Sequence, residues 1–370
     1  MSTRRTIRLA TRGSDLARRQ AASVKERLEA RRVEVELVAV ETTGDRIRDE
    51  LIHRLGKTGA FVRSLDQEVM DGGVDGAVHS MKDMPTDSPP DLVVAGIPER
   101  AAAGDVLVTP DGRGLADLDS GAVVGTSSLR RAAQLRSARP DLAVEPLRGN
   151  VDTRIEKLLA PALQCEHERR LDAEPGDGDS DSQDGNEFER SVEEWFDDLS
   201  EIERRALERR PEVEYDAIVL AAAGLDRAGL VEEVGTDDLP RSAFVPAPGQ
   251  GAIAVTAMEG SDASEAINDA IDHPRTRVET TAERVVLAEL GGGCVAPIGV
   301  HAVVQGEYLH VAAAVFDAEG EREVSGTRDV PVEEYVSAAR AFATDLRERG
   351  AADLIEAARV DADEREAKRE

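Results

Sequence analysis

Cys294 stands in the run Gly291-Gly292-Gly293-Cys294-Val295-Ala296-Pro297-Ile298-Gly299, where three glycines leave its sulfur beside bare backbone. This setting favours an accessible thiol. The other cysteine, Cys165, lies in an acidic, loop-like stretch, so no disulfide or metal role is indicated for Cys294. Covalent attachment of a ligand is one interpretation, and a small buried apolar residue is the other.

Arginine and hydroxyl side chains gather directly after predicted strands. Ligands of open α/β sheets bind outside the carboxyl ends of the strands, so these junctions carry the most functional weight. The four unusual junctions are Ala10-Thr11-Arg12-Gly13-Ser14, His79-Ser80-Met81-Lys82-Asp83-Met84-Pro85, Gly125-Thr126-Ser127-Ser128-Leu129-Arg130-Arg131 and Leu147-Arg148-Gly149-Asn150-Val151-Asp152-Thr153-Arg154.

The third junction has the features of an anion site. Arg130 and Arg131 occupy the first turn of a predicted helix, where the helix dipole disfavours cations by up to about 1 kcal/mol, so something anionic should compensate. Together with backbone N–H groups and the hydroxyls of Thr126 and Ser128, they can bind a carboxylate or phosphate. The alternative is a surface arginine pair that this acidic protein neutralises.

Further arginines at comparable junctions strengthen the anion-site interpretation. These are Arg12, Arg148 and Arg154. If the strands form two sheets, the loops can face one another across a cleft and bind a ligand with many carboxylates.

Asp83 is unusual in such a cleft, because its carboxylate would repel an anionic ligand unless it stabilises a cation or moves a proton. The alternative is a local salt bridge with Lys82, although adjacent residues of an extended segment point apart. His79 is interpreted as structural rather than as a base. The six histidines show no paired ligand spacing, so no metal site is predicted.

Composition predicts a soluble globular protein with two or three domains. The 370 residues are 41% hydrophobic, no apolar run approaches a membrane span, and the start lacks a secretion signal, so a cytoplasmic location without membrane association is expected. The formal net charge of −29 argues against nucleic acid as a partner. Lysines are few against 75 acidic residues, a composition typical of proteins from salt-loving organisms.

The first part of the chain alternates short apolar runs with helical periodicity, which predicts an α/β fold. The predicted strands are Ile7–Ala10, Val33–Val40, Val74–Val78, Leu92–Ile97, Val106–Val108, Ala122–Gly125, Val144–Leu147, Ala217–Ala221 and Ala252–Thr256. The predicted helices are Asp15–Arg31, Phe61–Met70, Leu129–Arg139 and Val151–Leu159.

Two later regions depart from this rhythm. Residues 161–214 are interpreted as an inserted acidic loop, in which Ser191–Arg209 forms a helix and Trp195 packs rather than performs chemistry. The pattern then predicts a small α+β domain. Its elements are a helix to Leu290, strands at Val300–Val304 and Leu309–Phe316, a helix at Val332–Arg349 and a frayed tail over residues 361–370.

In their order along the chain, these motifs resemble the porphobilinogen deaminase (hydroxymethylbilane synthase) family. The resemblance rests on the four junctions and on Ala221–Leu225, Pro246–Gly251, Gly292-Gly293-Cys294 and Pro297-Ile298-Gly299, and it covers the chain except the insertion and the tail.

The resemblance implies two doubly wound domains like those of periplasmic binding proteins and a small α+β C-terminal domain. Domain 1 would comprise residues 1–100 with 252–270, domain 2 residues 101–251 and domain 3 residues 271–360. It also implies a monomer that binds a dipyrromethane cofactor through a thioether at Cys294 and joins four porphobilinogen units with loss of ammonia.

The resemblance also implies roles for individual residues. Asp83 would stabilise positive charge at the pyrrole nitrogens. The residues that would hold the cofactor's carboxylates are Ser80, Lys82, Thr126, Ser128, Arg130, Arg131, Arg148 and Arg154. Those that would meet the substrate are Arg12, Ser14, Gln20 and Arg227.

The segment Arg54–Phe61 resembles the family's loop over the cleft, but Thr58 stands where relatives often carry a lysine, and Lys57 is adjacent. The alternative function is a non-enzymatic small-anion-binding protein, which would need the arginines but not Cys294. A cysteine acyltransferase would need a base beside the thiol, and the sequence indicates none.

Overall fold

Three β-sheets organise the chain in the computed structural model, which describes residues 6–40, 60–87, 89–173, 188, 190–291 and 296–367. Two of the sheets have five strands and helices packed on them. The third has three antiparallel strands covered by helices. This α/β architecture with a small C-terminal α+β unit confirms the predicted fold class.

The first sheet has the strand order β2-β1-β3-β10-β4, with β1 parallel to β2 and β3 and with β10 antiparallel to its neighbours. Its elements are β1 Ile7–Arg12, α1 Asp15–Ala30, β2 Val35–Val40, α2 Ala60–Met70, β3 Gly76–Ser80, β4 Leu92–Gly96, β10 Ile253–Met258 and α8 Asp262–Ile271. Leu9, Leu28, Val255 and Ile267 are fully buried between the sheet and the helices α1 and α8.

The second sheet repeats this layout in the order β7-β6-β8-β5-β9, with β6 parallel to β7 and β8 and with β5 antiparallel to its neighbours. Its elements are β5 Asp105–Thr109, β6 Val123–Gly125, α3 Leu129–Ala138, β7 Ala143–Glu145, α4 Val151–Ala173, α5 Val192–Asp198, α6 Glu201–Leu207, β8 Ala217–Ala221, α7 Ala222–Ala228 and β9 Gly235–Asp238. In each sheet, the fourth strand directly follows a segment that crosses over from the other five-stranded sheet. This strand is β10 in the first sheet, after the crossover segment 239–252, and β5 in the second, after the crossover segment 97–104.

The third sheet has the order β11-β12-β13 and packs against the helices around it. Its elements are α9 Pro274–Glu289, β11 Ile298–Gln305, β12 Tyr308–Phe316, β13 Glu323–Pro331, α10 Tyr335–Leu346 and α11 Ala352–Ala367. The predicted tail is therefore wrong up to Ala367. The helix α11 is anchored by Leu354, Ile355 and Ala358, which are buried against this sheet.

The predicted loop beginning at Pro161 is also wrong over its first part, because α4 continues through Pro161 to Ala173. The cost of a proline inside a helix is offset by packing, since Leu159 and Leu163 join the same apolar cluster as Ile202 and Ala206 of α6.

The helix predicted over Ser191–Arg209 is two helices, α5 and α6. Ser200 interrupts it because its backbone N–H and its hydroxyl both donate to the Glu203 carboxylate, which forms a capping box for α6. Trp195 packs as predicted, stacked on His167 with ring centroids 5.8 Å apart.

Some predicted features lie outside the described residues. They include Cys294, the segment 54–59 with Lys57 and Thr58, and residues 174–187 of the insertion. Within the described ranges, no helix is both long and apolar enough to cross a membrane.

Candidate functional site at the facing ends of two sheets

The first side of the site lies where β1 and β3 end. These strands are parallel neighbours, so Arg12 and Ser80, the last residues of each, leave the sheet at the same edge. Ser14 caps α1 by accepting a hydrogen bond from the Ala17 N–H at 3.4 Å. Gln20, buried on α1, donates from Nε2 to the Ser80 hydroxyl at 3.3 Å. Three predicted substrate residues and Ser80 are thus on adjoining elements.

Asp83 ends a short 3-10 turn, Met81–Asp83, that directly follows β3. Met81 is buried and anchors the turn, while Lys82 is half-buried and Asp83 is exposed. Met84, the next residue, closes the turn by donating its N–H to the Met81 carbonyl at 3.1 Å. The turn therefore places Asp83 at the surface of the molecule, on a backbone that the buried Met81 side chain holds in position.

The second side of the site is the start of α3. Thr126 follows β6 and is buried, and Ser128 caps α3 by accepting from the Arg131 N–H at 3.4 Å. Thr126 Oγ1 accepts from the Ser128 N–H at 3.2 Å, so the two predicted hydroxyl residues are tied together. Arg130 and Arg131 form the first turn, as the sequence predicts.

The anion that compensates these two arginines is Asp105, the buried first residue of β5. Its Oδ2 lies 2.8 Å from Arg130 Nη2, and its Oδ1 lies 2.7 Å from Arg131 Nη2. Burial opposes ionisation of this carboxyl, but the two guanidinium groups hold the pKa of Asp105 well below its usual range. One carboxylate faces two cations, so this buried cluster retains a net positive charge.

Gln250 completes the cluster and connects it to both crossovers between the two halves. Its Nε2 donates to Asp105 Oδ1 at 2.8 Å and to the Ala103 carbonyl at 2.6 Å, and its Oε1 accepts from Arg130 Nη2 at 3.3 Å. Arg130 also donates to the Val245 carbonyl at 2.8 Å. Val245 and Gln250, residues of the second crossover segment, therefore fix the orientation of the Arg130 guanidinium.

Arg148 and Arg154 flank the start of α4. Arg154 Nε donates to the Gly149 carbonyl at 2.8 Å, and Lys157 Nζ donates to the Arg148 carbonyl at 3.2 Å. Gly149 has φ 119°, and a Cβ there would lie 2.6 Å from Thr153 Cγ2, so this turn needs glycine. Both arginines are half-buried at the carboxyl end of the second sheet.

Positive charge is concentrated where the turn after β3 approaches the starts of α3 and α4. Burial lowers the pKa of Lys82 below its ordinary value of 10.5, and the cations of Arg131 and Arg154 lower it further, against the opposing effects of Asp83 and Asp105. Burial and the proximity of Arg131 lower the pKa of Arg154 to about 10. Lys82 of the first half is thus electrostatically coupled to two arginines of the second half, and the shared space favours an anionic ligand.

Arg227 lies apart from this group. Its Nη2 donates to the Gly251 carbonyl at 2.7 Å, and burial and the nearby Arg27 lower its pKa. Arg227, which lies on α7, therefore ties the second crossover segment to this helix.

Three residues that position the site were missed from the sequence: Asp105, Gln250 and Glu283. Glu283, fully buried on α9, pairs with Arg100 at 2.7 Å and accepts from the Gly249 N–H at 2.7 Å. Asp105 had a signal in the sequence as a carboxylate at the start of a predicted apolar strand, and Gln250 lies within Pro246–Gly251, a motif on which the family resemblance rests.

Two family models match most of the chain. The model of the porphobilinogen deaminase, dipyromethane cofactor binding domain, matches residues 7–166 and 200–266, and that of the porphobilinogen deaminase C-terminal domain matches residues 278–347. The gap in the first match, residues 167–199, falls within the insertion. Among solved structures, the methionine-binding protein MetQ aligns with a TM-score of 0.37 and 11% identity over 72% of this chain and 89% of that chain.

Two relatives extend over nearly the whole chain. A "probable porphobilinogen deaminase" of Halobacterium salinarum is 56% identical over 96% of this chain and 99% of its own, which is consistent with the predicted salt-loving origin. A porphobilinogen deaminase of Syntrophomonas wolfei is 36% identical over 95% of this chain and 98% of its own. The chain therefore belongs to the porphobilinogen deaminase family.

Proposed function

We propose that this chain is a porphobilinogen deaminase, a transferase of tetrapyrrole biosynthesis. It joins four porphobilinogen molecules head to tail, with release of ammonia for each, and hydrolysis by water then releases hydroxymethylbilane from the cofactor. The observation that carries the proposal is the positive charge shared by Lys82, Arg131 and Arg154 beside Asp83. The two-domain fold is common to enzymes and binding proteins, so it does not favour the small-anion-binding alternative.

The cationic cluster suits a dipyrromethane, because each of its pyrroles carries two carboxylates. Burial, and after it the cations of neighbouring arginines, lower the pKa values of Lys82 and Arg154, and bound carboxylates would stabilise the charged forms of both groups. The residues that would hold the cofactor are Ser80, Lys82, Thr126, Ser128, Arg130, Arg131, Arg148 and Arg154. When bound, dipyrromethane supplies the free pyrrole α-carbon from which the product is built.

These arginines form two groups: Arg130 and Arg131 pair with Asp105, and Arg148 and Arg154 do not. Arg130 is bonded to Asp105, Gln134, Val245 and Gln250, so it contributes charge and support more than free N–H groups. Within the described residues, the Arg154 guanidinium donates one hydrogen bond, to the Gly149 carbonyl, and the Arg148 guanidinium donates none. We therefore assign direct carboxylate binding mainly to Arg148 and Arg154, with Lys82.

We assign the covalent attachment to Cys294. The other cysteine, Cys165, is exposed on α4. Its neighbour Gln164 donates to the carbonyls of Leu207 and Arg209, which places this stretch against the insertion. That position is unsuited to a ligand shared by the end of β3 and the first turns of α3 and α4, because Cys165 lies about three turns beyond Arg154 along α4.

Each condensation breaks the C–N bond of the aminomethyl group of porphobilinogen, and the nitrogen leaves as ammonia. A C–C bond forms between that methylene and the free α-carbon, which gives up its hydrogen as a proton. The Asp83 carboxylate would stabilise the positive charge that develops on the pyrrole nitrogens at both stages. Arg12, Ser14, Gln20 and Arg227 would meet or support the incoming substrate, with Gln20 acting through its bond to Ser80.

Both sides of the site come from one chain, so we propose that the monomer is active. Sedimentation of the active protein tests this assignment. The cytoplasmic location stays a prediction from composition.

Intact-protein mass spectrometry tests the function. The wild type and Cys165→Ser should both carry an adduct of two linked pyrrole units, and Cys294→Ser should lack the adduct and the activity. An unmodified wild type that turns over porphobilinogen would refute the cofactor assignment. An adduct lost in Cys165→Ser but kept in Cys294→Ser would move the attachment to the other cysteine. Binding of a small anion without adduct or turnover would favour the alternative function.

A further inference from the structure

The loop that carries Asp83 is held from the third domain by Arg284. This arginine lies on α9, and its Nη1 donates to the Met84 carbonyl at 3.2 Å while its Nη2 donates to the Pro85 carbonyl at 2.5 Å. Met84 and Pro85 are the two residues directly after Asp83. A planar guanidinium that bonds two consecutive carbonyls fixes the direction of the peptide between them.

The preceding residue of α9, Glu283, holds the second crossover against the same turn. Glu283 accepts from the Gly249 N–H at 2.7 Å. Gly249 has φ 73°, and a Cβ there would lie 2.7 Å from Met81 Cγ, so its backbone sits directly on the side chain that anchors the turn. Met81 also donates its N–H to the Ala252 carbonyl at 3.1 Å. The turn is thus held on both flanks by neighbouring residues of one helix.

We infer that Arg284 is a positioning residue for the reaction, which sets the Asp83 carboxylate relative to the ligand by fixing the carbonyls of Met84 and Pro85. The inference rests on the proposed function, in which Asp83 acts at the pyrrole nitrogens. The helix that carries Arg284 ends at Glu289, five residues before Cys294 in the sequence.

Two features separate this role from ordinary packing. Arg284 is half-buried, and this burial lowers the pKa of its guanidinium. Within the described residues, its hydrogen bonds go to carbonyls of the loop backbone and not to a carboxylate. Arg284 therefore fixes the loop rather than neutralising a charge.

Arg277, on the same helix, is a matched control. Its Nη2 also donates to two consecutive carbonyls, those of Val94 at 3.0 Å and Ala95 at 3.3 Å. These belong to β4, away from the Asp83 turn. Arg277 also pairs with the Asp272 carboxylate at 2.7 Å, so Arg277→Met removes at least as many contacts from this helix as Arg284→Met does. Only Arg284→Met, however, releases the catalytic loop.

The experiment combines hydrogen exchange with steady-state kinetics on protein whose adduct is verified by mass. Arg284→Met should raise amide exchange over Met81–Asp87 and lower kcat about 10- to 100-fold, with KM within about 3-fold, because a small misplacement of a reacting group costs rate. Arg284→Lys, which reaches one carbonyl at a time, should lie between. Arg277→Met should raise exchange over β4 and leave kcat within about 2-fold.

Unchanged exchange over Met81–Asp87 in Arg284→Met would overturn the inference. So would an equal loss of kcat in Arg277→Met, since both losses would then be structural. If the wild type does not convert porphobilinogen, the proposed function fails, while the exchange data still decide whether Arg284 holds the loop.

Discussion

Asp105 and Arg131 form a buried pair in which one carboxylate oxygen accepts from Nη2 at 2.7 Å and from Nε at 3.0 Å. The pair joins the first residue of β5 to the first turn of α3, and Arg130 approaches the second oxygen. The arginines at this helix start are therefore held in place before any ligand arrives. Preorganised cations lose little freedom when a carboxylate binds beside them.

Asp105→Asn should destabilise the protein by about 3 kcal/mol or more, because two buried guanidinium groups would lose their carboxylate. Urea unfolding at constant high salt measures the change. The control is Asp111→Asn, which breaks the exposed pair with Arg113 and should leave the midpoint unchanged. Equal stability of Asp105→Asn and the wild type would show that the cluster does not need its carboxylate.

Asp83→Asn should keep the fold and the adduct but lower turnover by about 10²-fold or more, because the neutral amide cannot stabilise developing positive charge. Single-turnover assays on adduct-bearing protein measure this. Asp87→Asn, an exposed residue of the same loop, should keep normal turnover. Near-normal turnover in Asp83→Asn would remove Asp83 from its assigned role.

The depressed pKa of Lys82 predicts an alkaline limit to cofactor loading of the apoprotein. A bound carboxylate favours the ammonium form, so carboxylate binding takes up a proton between the lowered pKa of the free site and the higher pKa of the bound complex, and affinity falls as pH rises through that window. The rate of adduct formation on the apoprotein from about pH 7 to about pH 11, followed by mass, measures this limb of the profile. Lys82→Arg should move it upward, since arginine stays charged.

Lys25→Arg serves as the control for that profile. Lys25 lies on α1, 3.6 Å from Glu29, and takes no part in the cleft. Its profile should match that of the wild type. An alkaline limb at the same pH in Lys82→Arg would assign the limb to another group.

Stability should increase with salt, because the net charge of −29 causes self-repulsion that ions screen. The Debye length falls from about 10 Å at 0.1 M to about 3 Å at 1 M. Thermal unfolding in KCl over that range should show Tm rising with concentration. An unchanged Tm after dialysis to low salt would contradict a salt-dependent fold.

The sequence predicted the fold well where strands are apolar and short. It missed β13, Glu323–Pro331, because the segment is polar, contains Gly326 and reads as a loop. It also missed β9, whose residues Gly235–Asp238 have no apolar alternation. Both strands form only because a neighbouring strand offers hydrogen bonds, and that information is not local.

For the site, the sequence indicated that Arg130 and Arg131 need an anion, but not which one. Asp105 precedes Arg130 by 25 residues, which include the rest of β5 and all of β6, and no short-range pattern connects the two positions. Arg284 had no signal at all, since a single arginine in an amphipathic helix is indistinguishable from a surface residue. Contacts between distant segments decided both cases.

The exchange of strands between the two large sheets has a consequence during synthesis. β10 lies between β3 and β4, yet it is made after the entire second sheet. Until the ribosome has passed Met258, β3 and β4 lack their shared neighbour and expose unpaired edges. The first sheet is therefore completed only after the second sheet has been synthesised, in contrast to amino-terminal domains that fold as units during synthesis.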